Sequence, residues 1–404
     1  MPKNSSENFT EFLTQKIVDN NLSNGTIILI WYIMQWCMHC LISIYNTLKR
    51  RLFPMAKMMD ALVKPEKGPG LVLTKVPVPT PGPGEVLIKI RKTAICGTDV
   101  HIYEWNGWAE KNIVPPITIG HEYIGEIAEL GEGVTNFKVG QKVSGEGHLV
   151  CGHCYNCRTG NSHWCKATKG VGVNRNGAFA EYLCIPATNV IEIEDDLDEE
   201  VVSFFDAFGN ATHTALYWDL VGKNVLITGA GPIGIMAAAI CKFAGARTVV
   251  ITDVNEYRLD LALKIGATRA VNVSKDRLGY VMHELGIKEG FDIGLEMSGS
   301  EAALNDMIHR MVNGGRIALL GLQGNTANVD LERVIFNGIT MKGIYGRKVW
   351  NTWIKMTMML QAGLDIKNII THRIDARDYE EGFETMISGQ SGKVVMDWSH
   401  VKEQ

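Results

Sequence analysis

From Met59 to about Val190 the chain runs in short apolar and polar alternations broken by Gly and Pro, as in EVLIKI from Glu85 to Ile90 and EYIGEIAEL from Glu122 to Leu130. A period of two predicts half-buried strands, and therefore a mostly β region. After the acidic run Glu194 to Glu200 the rhythm changes to apolar strand-like runs separated by helical periods. These runs are NVLITG at Asn224, TVVITD at Thr248, RAVNV at Arg269, DIGLEMSG at Asp292, GRIALLGL at Gly315 and ITMKGIYG at Ile339. Strands alternating with helices predict βαβ units in a parallel sheet, and six of them suffice for a doubly wound dinucleotide-binding sheet. Beyond about Trp350, one helical segment and GKVVMDW (Gly392 to Trp398) are too few to form a domain, and we expect them to return to the first one.

The first 58 residues follow neither rhythm. TIILIWYIMQWCMHCLISIYNTL, from Thr26 to Leu48, is long enough to span a bilayer and is closed by Lys49, Arg50 and Arg51. Gln35, His39, Ser43 and Asn46 interrupt it, and no small-residue cleavage pattern follows. Two readings stay open: a dispensable extension upstream of MDALVK, or a membrane anchor. The resulting division is an extension over 1–58, a first domain over 59–203 completed by 352–399, and a dinucleotide-binding domain over 204–351.

Length and composition bound the function. A chain of 404 residues exceeds what one hydrophobic core usually organises. A net charge of -4 with 21% charged residues offers no basic excess for a polyanion, which argues against nucleic acid as a partner. The nine cysteines are an odd number, and four crowd at Cys151, Cys154, Cys157 and Cys165, a pattern that suits a metal in a reducing compartment better than a disulfide framework.

The strand NVLITG leads directly into GAGPIG, Gly229 to Gly234, and then into the helical MAAAICKFAGA. That placement gives the glycine fingerprint its meaning: Gly229 permits the tight turn, Gly231 lets the backbone approach a pyrophosphate, and Gly234 lets helix and strand pack closely. Asp253, ending the second strand, can accept from a ribose diol and would repel a 2′-phosphate, which favours NAD over NADP. Arg258 nearby could meet a 2′-phosphate, lie along the ribose or pair with Asp253.

In CGHCYNCRTGNSHWC the thiols stand at spacings of two, two and seven residues, and four thiolates make a closed tetrahedral set suited to structural zinc. His153 and His163 inside that loop are then expected on the surface or beside the thiolates, outside a full shell. Upstream, Cys96 in AICGTDVH with His121 and Glu122 in GHEYIGE offer a second set. A zinc held by a Cys, a His and a carboxylate or water keeps an open position where it can act on an alcohol.

GHEYIGEIAELGEGVTNFKVGQKV resembles the signature of the zinc-containing medium-chain alcohol dehydrogenases, and the four-cysteine lobe and GAGPIG extend the likeness over Met59 to Trp398. Within that family the segments RKTAICGTDVHIY, VSGEGH, GVGVNRNGAFAEY, FDAFGNATHTAL, ITDVNEYRL and SGQSGKVV are most similar to the threonine-oxidising branch of bacterial type. The resemblance implies an α/β architecture, with a GroES-like, mostly β catalytic domain beside a Rossmann domain. It implies Cys96, His121 and Glu122 as ligands of a catalytic zinc and Cys151, Cys154, Cys157 and Cys165 as the structural set. Thr98 and His101 become a proton relay together with the cofactor ribose, Asp206 acts on zinc directly or through water, and His148 lies near the substrate. NAD would meet Gly229, Gly231, Ile233, Gly234, Asp253, Arg258, Leu320, Gly321, Leu322, Ile344 and Tyr345. L-Threonine is the implied substrate, in a cytoplasmic homotetramer whose product passes to a glycine-forming ligase. Two alternatives remain: a polyol dehydrogenase of the same fold, and a membrane-tethered NAD-binding protein without catalysis, against which Cys96, Thr98, His101, His121 and Glu122 argue.

Overall fold

The computed structural model describes residues 57–324 and 326–399, so the apolar stretch from Thr26 to Leu48 lies outside the described residues. Among the described residues no helix is long and apolar enough to cross a membrane.

The strand Glu85–Ala94 organises the β-rich part, because its alternation puts Val86, Ile88 and Ile90 in one core. Along one edge it pairs antiparallel with Tyr123–Leu130. Along the other it pairs first with Tyr182–Pro186 and then with Lys393–Asp397 from the far end of the chain. Ile370–Asp375 lies parallel to Lys393–Asp397, so both C-terminal strands belong to this sheet of seven. The helix Asn351–Gln361 behaves otherwise: its buried Trp353 and Met356 sit with Phe205 and Phe208 in the core shared with the parallel sheet. Aromatic bulk, which periodicity does not assign to a partner, decides where that helix packs.

The parallel sheet has the order Arg269–Asn272, Thr248–Asp253, Asn224–Thr228, Phe291–Glu296, Met311–Leu319, Thr340–Gly343. In sequence this is 3-2-1-4-5-6, with the reversal between Asn224–Thr228 and Phe291–Glu296, where such sheets open a crevice at their carboxyl ends. The inner strands are continuously apolar because both faces are covered: Val225, Ile227 and Ile251 belong to one core, Leu226 and Val250 to the other. The helix Pro232–Phe243 is buried from Gly234 to Cys241, its alanines letting it lie between the sheet and the helix Phe205–Ala215.

Candidate active site and metal centres

Residues Thr93 and Tyr123 are paired across antiparallel strands, so the turns just beyond them bring Cys96 beside His121 and Glu122. One donor atom from each of the three lies within 4.8 Å of the others. Cys96 is the N-cap of the helix Gly97–Glu104, and Asp99, its third residue, accepts from the Cys96 backbone N–H at 2.9 Å. The other oxygen of Asp99 faces His121 Nδ1 at 3.5 Å. Lys393 Nζ binds Glu122 Oε2 and donates to the Ile95 carbonyl at 2.9 Å.

This group is built for a cation. Glu122 Oε1 is buried without a hydrogen-bond partner among the described residues, while Asp99 Oδ1 and His121 Nδ1, equally without one, face each other and leave the second imidazole nitrogen for a metal. Burial pushes the carboxyls of Asp99 and Glu122 up. Burial works against a charge on His121, yet Asp99 and Cys96 beside it push its pKa well up. A soft thiol, an imidazole and a carboxylate converging with unfilled valence suit zinc, and three protein donors leave a fourth position open. Thr98 and His101 share the helix that Cys96 caps; Thr98 is half-buried, while His101 is exposed and its Nδ1 meets Asn106 Nδ2 at 2.9 Å.

Beside this group lies a buried ionic network. Arg347, only 1% exposed, contacts Glu146 through Nε at 2.9 Å and through Nη2, and Asp206 Oδ1 through Nη2 at 2.8 Å. Trp353 Nε1 donates to Glu146 at 3.1 Å, and the His148 backbone N–H does so at 3.0 Å. Burial opposes the charge on Glu146, but Arg347 overrides it and holds the carboxyl at about 2. The His148 ring stacks on Tyr345, centroids 5.6 Å apart and planes within 8°. Burial and Arg347 push the His148 pKa down. Asp206 is thus tied to Arg347 and stands outside the Cys96, His121 and Glu122 group.

The four lobe cysteines also converge, with their sulfurs within 4.8 Å of one another. Backbone N–H groups of Cys151 and Ala167 point at Cys165 Sγ, each at 3.4 Å, and pull its thiol down to about 6. Four sulfurs form a closed shell with no place for substrate. His153 is exposed and its ring meets the Cys151 carbonyl at 2.7 Å. His163 is not on the surface: it is 3% exposed, its ring packed against Trp164 and edge-on to His213. Burial holds its pKa down at about 4.

At the crevice, Gly229 has φ of +93° and a Cβ there would lie 2.9 Å from Ser298, while a Cβ on Gly234 would lie 2.0 Å from the Gly229 carbonyl. Gly231 differs: nothing of the chain lies within 4 Å of its would-be Cβ, so the space beside it is open to a ligand. It is the N-cap of Pro232–Phe243 without a side-chain cap, leaving the first N–H groups free for a phosphate. Ile233 lies in the first turn of that helix. Asp253 is already engaged, taking the Ala230 N–H at 2.6 Å, that of Val254 at 2.7 Å and that of Asn255 at 3.0 Å. Its carboxylate therefore holds the glycine turn as well as offering a remaining lone pair to a diol. Arg258 makes no ion pair with Asp253; its Nε is buried without a partner among the described residues. Leu320 and Gly321 donate to the Glu296 carbonyl at the ends of the fourth and fifth strands, Leu322 is 85% exposed, and Ile344 and Tyr345 follow the sixth. These positions line the carboxyl ends of the strands.

Asp99, Glu146, Arg347 and Lys393 escaped sequence reasoning. Asp99 had a signal, since an acid three residues after an N-cap closes a capping box. Arg347, Glu146 and Lys393 had none, because a charge pattern does not reveal which charges are buried together.

The comparisons with known proteins fit this geometry. Residues 82–195 match the model of the alcohol dehydrogenase GroES-like domain, and residues 232–362 that of the zinc-binding dehydrogenases. The chain is 59% identical over 340 residues to an L-threonine 3-dehydrogenase of Idiomarina loihiensis, covering 84% of this chain and 100% of the relative. It is likewise 59% identical over 341 residues to one of Burkholderia ambifaria, covering 84% and 100%. Among solved structures, a short chain alcohol dehydrogenase of Escherichia coli complexed with NADH superposes with a TM-score of 0.78 at 26% identity, covering 85% of this chain and all of that one. With both halves matched and identity near three-fifths over whole relatives, the chain belongs to the zinc-containing medium-chain alcohol dehydrogenases.

Proposed function

We propose that the protein is a zinc-dependent L-threonine 3-dehydrogenase, oxidising L-threonine with NAD to L-2-amino-3-oxobutanoate, NADH and a proton. The observation that carries this reading is the convergence of Cys96, His121 and Glu122, in a chain 59% identical over their full length to threonine dehydrogenases. Cys96, His121 and Glu122 would hold a zinc ion that supplies Lewis acidity to a secondary hydroxyl, and the crevice would hold a nicotinamide that supplies a hydride acceptor.

The chain's own residues do the rest. Asp99 orients the His121 ring by facing Nδ1, which leaves the other ring nitrogen as donor. Thr98 accepts the hydroxyl proton as it gives up its own, and the relay would run through the cofactor ribose to His101, which is exposed and passes the proton to water. Asp206 and His148 border the substrate, and Gly229, Gly231, Ile233, Gly234, Asp253, Arg258, Leu320, Gly321, Leu322, Ile344 and Tyr345 hold the dinucleotide. Cys151, Cys154, Cys157 and Cys165 would hold a structural zinc in the lobe. The product is an unstable β-keto acid, and the family resemblance passes it to a glycine-forming ligase. The same reading places a homotetramer in the cytoplasm, divided into a catalytic domain over 59–203 with 352–399 and a dinucleotide domain over 204–351, with residues 1–58 dispensable. NADH formation by the purified protein with L-threonine, sorbitol and a simple secondary alcohol tests it; equal turnover of sorbitol points to a polyol dehydrogenase.

A further inference from the structure

We propose that Arg347 is a positioning residue that fits this site to a substrate carrying an ammonium group, by fixing Asp206 as the acceptor for that group. The inference rests on the threonine reading and names the device that makes it selective. Four hydrogen bonds and one ion pair surround the guanidinium. Nε meets Glu146 at 2.9 Å, and Nη2 meets Glu146 and, at 2.8 Å, Asp206 Oδ1. Nη1 meets the Asp206 carbonyl at 3.3 Å and Asn210 Oδ1 at 3.4 Å. The guanidinium is 1% exposed and packed among these partners, so Arg347 acts through its neighbours.

Two carboxylates against one guanidinium leave a surplus negative charge. Glu146 is fully buried and further bonded by Trp353 and the His148 backbone. Asp206 instead keeps 11% of its side chain exposed, so the surplus is available there. It also stands on the substrate side of the network: the would-be Cβ of Gly147 lies 3.6 Å from Asp206 Oδ1 and 3.7 Å from the His121 Cβ. Arg347 meets the carboxylate through a single nitrogen, so its remaining lone pairs are left for a cation beside the reacting carbinol. The fork itself closes on Glu146, while Asp206 is held at two points, Nη1 on its backbone carbonyl and Nη2 beside Oδ1, a pair of contacts that a lysine point charge would not reproduce. The same loop carries Tyr345, stacked on His148, and Gly346, whose carbonyl His213 meets at 2.8 Å. The ammonium pocket and the expected nicotinamide contacts are thus held by one short segment.

A purely structural arginine would lower all activities alike, and this separates the two cases. The test compares L-threonine with 3-hydroxybutanoate, which keeps the carbinol and carboxylate but lacks the ammonium, in the zinc-loaded full chain. Arg347→Lys is expected to raise KM for L-threonine about 30-fold or more, with 3-hydroxybutanoate kcat/KM and NADH affinity by fluorescence each changed less than about 3-fold. Equal losses for both substrates, or an unchanged threonine KM, overturn the proposal. Should Arg347→Lys fail to fold, Asp206→Asn leaves the Arg347 and Glu146 pair in place and is expected to raise KM more for L-threonine than for 3-hydroxybutanoate; equal rises for the two, or a loss confined to kcat, overturn the proposal. If the unmodified protein ignores L-threonine, the underlying reading fails instead.

Discussion

Asp99 Oδ1 faces His121 Nδ1 across 3.5 Å, and neither atom has another partner among the described residues. A carboxylate behind a ligating imidazole fixes its tautomer and raises its basicity, an effect worth roughly 10- to 100-fold in metal affinity or activity. Asp99→Asn is therefore expected to lower zinc affinity at the Cys96, His121 and Glu122 group by that order, measured by chelator competition, without loss of zinc from the cysteine lobe. Unchanged affinity would remove Asp99 from the site.

The two metal groups are expected to respond differently, because one is open and the other closed. Cys96→Ser should abolish turnover with a near-normal melting temperature, whereas Cys154→Ser should lower the melting temperature and lose one zinc per chain. Elemental analysis with thermal unfolding checks both; full activity in Cys96→Ser contradicts the assignment.

The three backbone N–H groups on Asp253 give that residue two duties. Asp253→Ser is expected to narrow the preference for NAD over NADP and also to weaken binding of both, since the turn at Ala230 loses its acceptor. Unmodified protein that uses NADP as well as NAD would show the like-charge argument to be wrong.

Much of this was legible in the sequence, for identifiable reasons. Continuous apolar runs such as TVVITD became parallel strands because both faces of the sheet are covered, and GAGPIG fell between strand and helix. The cysteine spacing gave the lobe. What stayed hidden depends on contacts distant in sequence: Lys393 reaching Glu122, Arg347 reaching Glu146, and Trp353 directing its helix to the parallel-sheet core. His163 carries no local mark of burial; only the fold puts His213 against it.

Asp397 ties the C-terminal strand to Lys92 at 2.9 Å. Burial raises its pKa, but bonds from Ser399 and Lys92 outweigh this and hold it at about 2. A depressed carboxylate stabilises the fold above its unfolded value of roughly 4, and that contribution fades as pH falls toward 2. Asp397→Asn should thus be less stable than the parent at pH 7, with the gap closing below about pH 4 in urea titrations. A gap that does not change with pH excludes this linkage.

The central claim is that an open metal group beside a dinucleotide crevice serves one amino-acid alcohol, and substrate competition tests it most directly. An amino-acid substrate requires partners for its ammonium and carboxylate that go unpaired when a polyol binds, and buried unpaired groups cost orders of magnitude in discrimination. With NAD and zinc, initial rates of NADH formation should give a kcat/KM for L-threonine on the order of a hundredfold or more above that for sorbitol or a simple secondary alcohol. Equal efficiency for either of these and L-threonine would contradict the account.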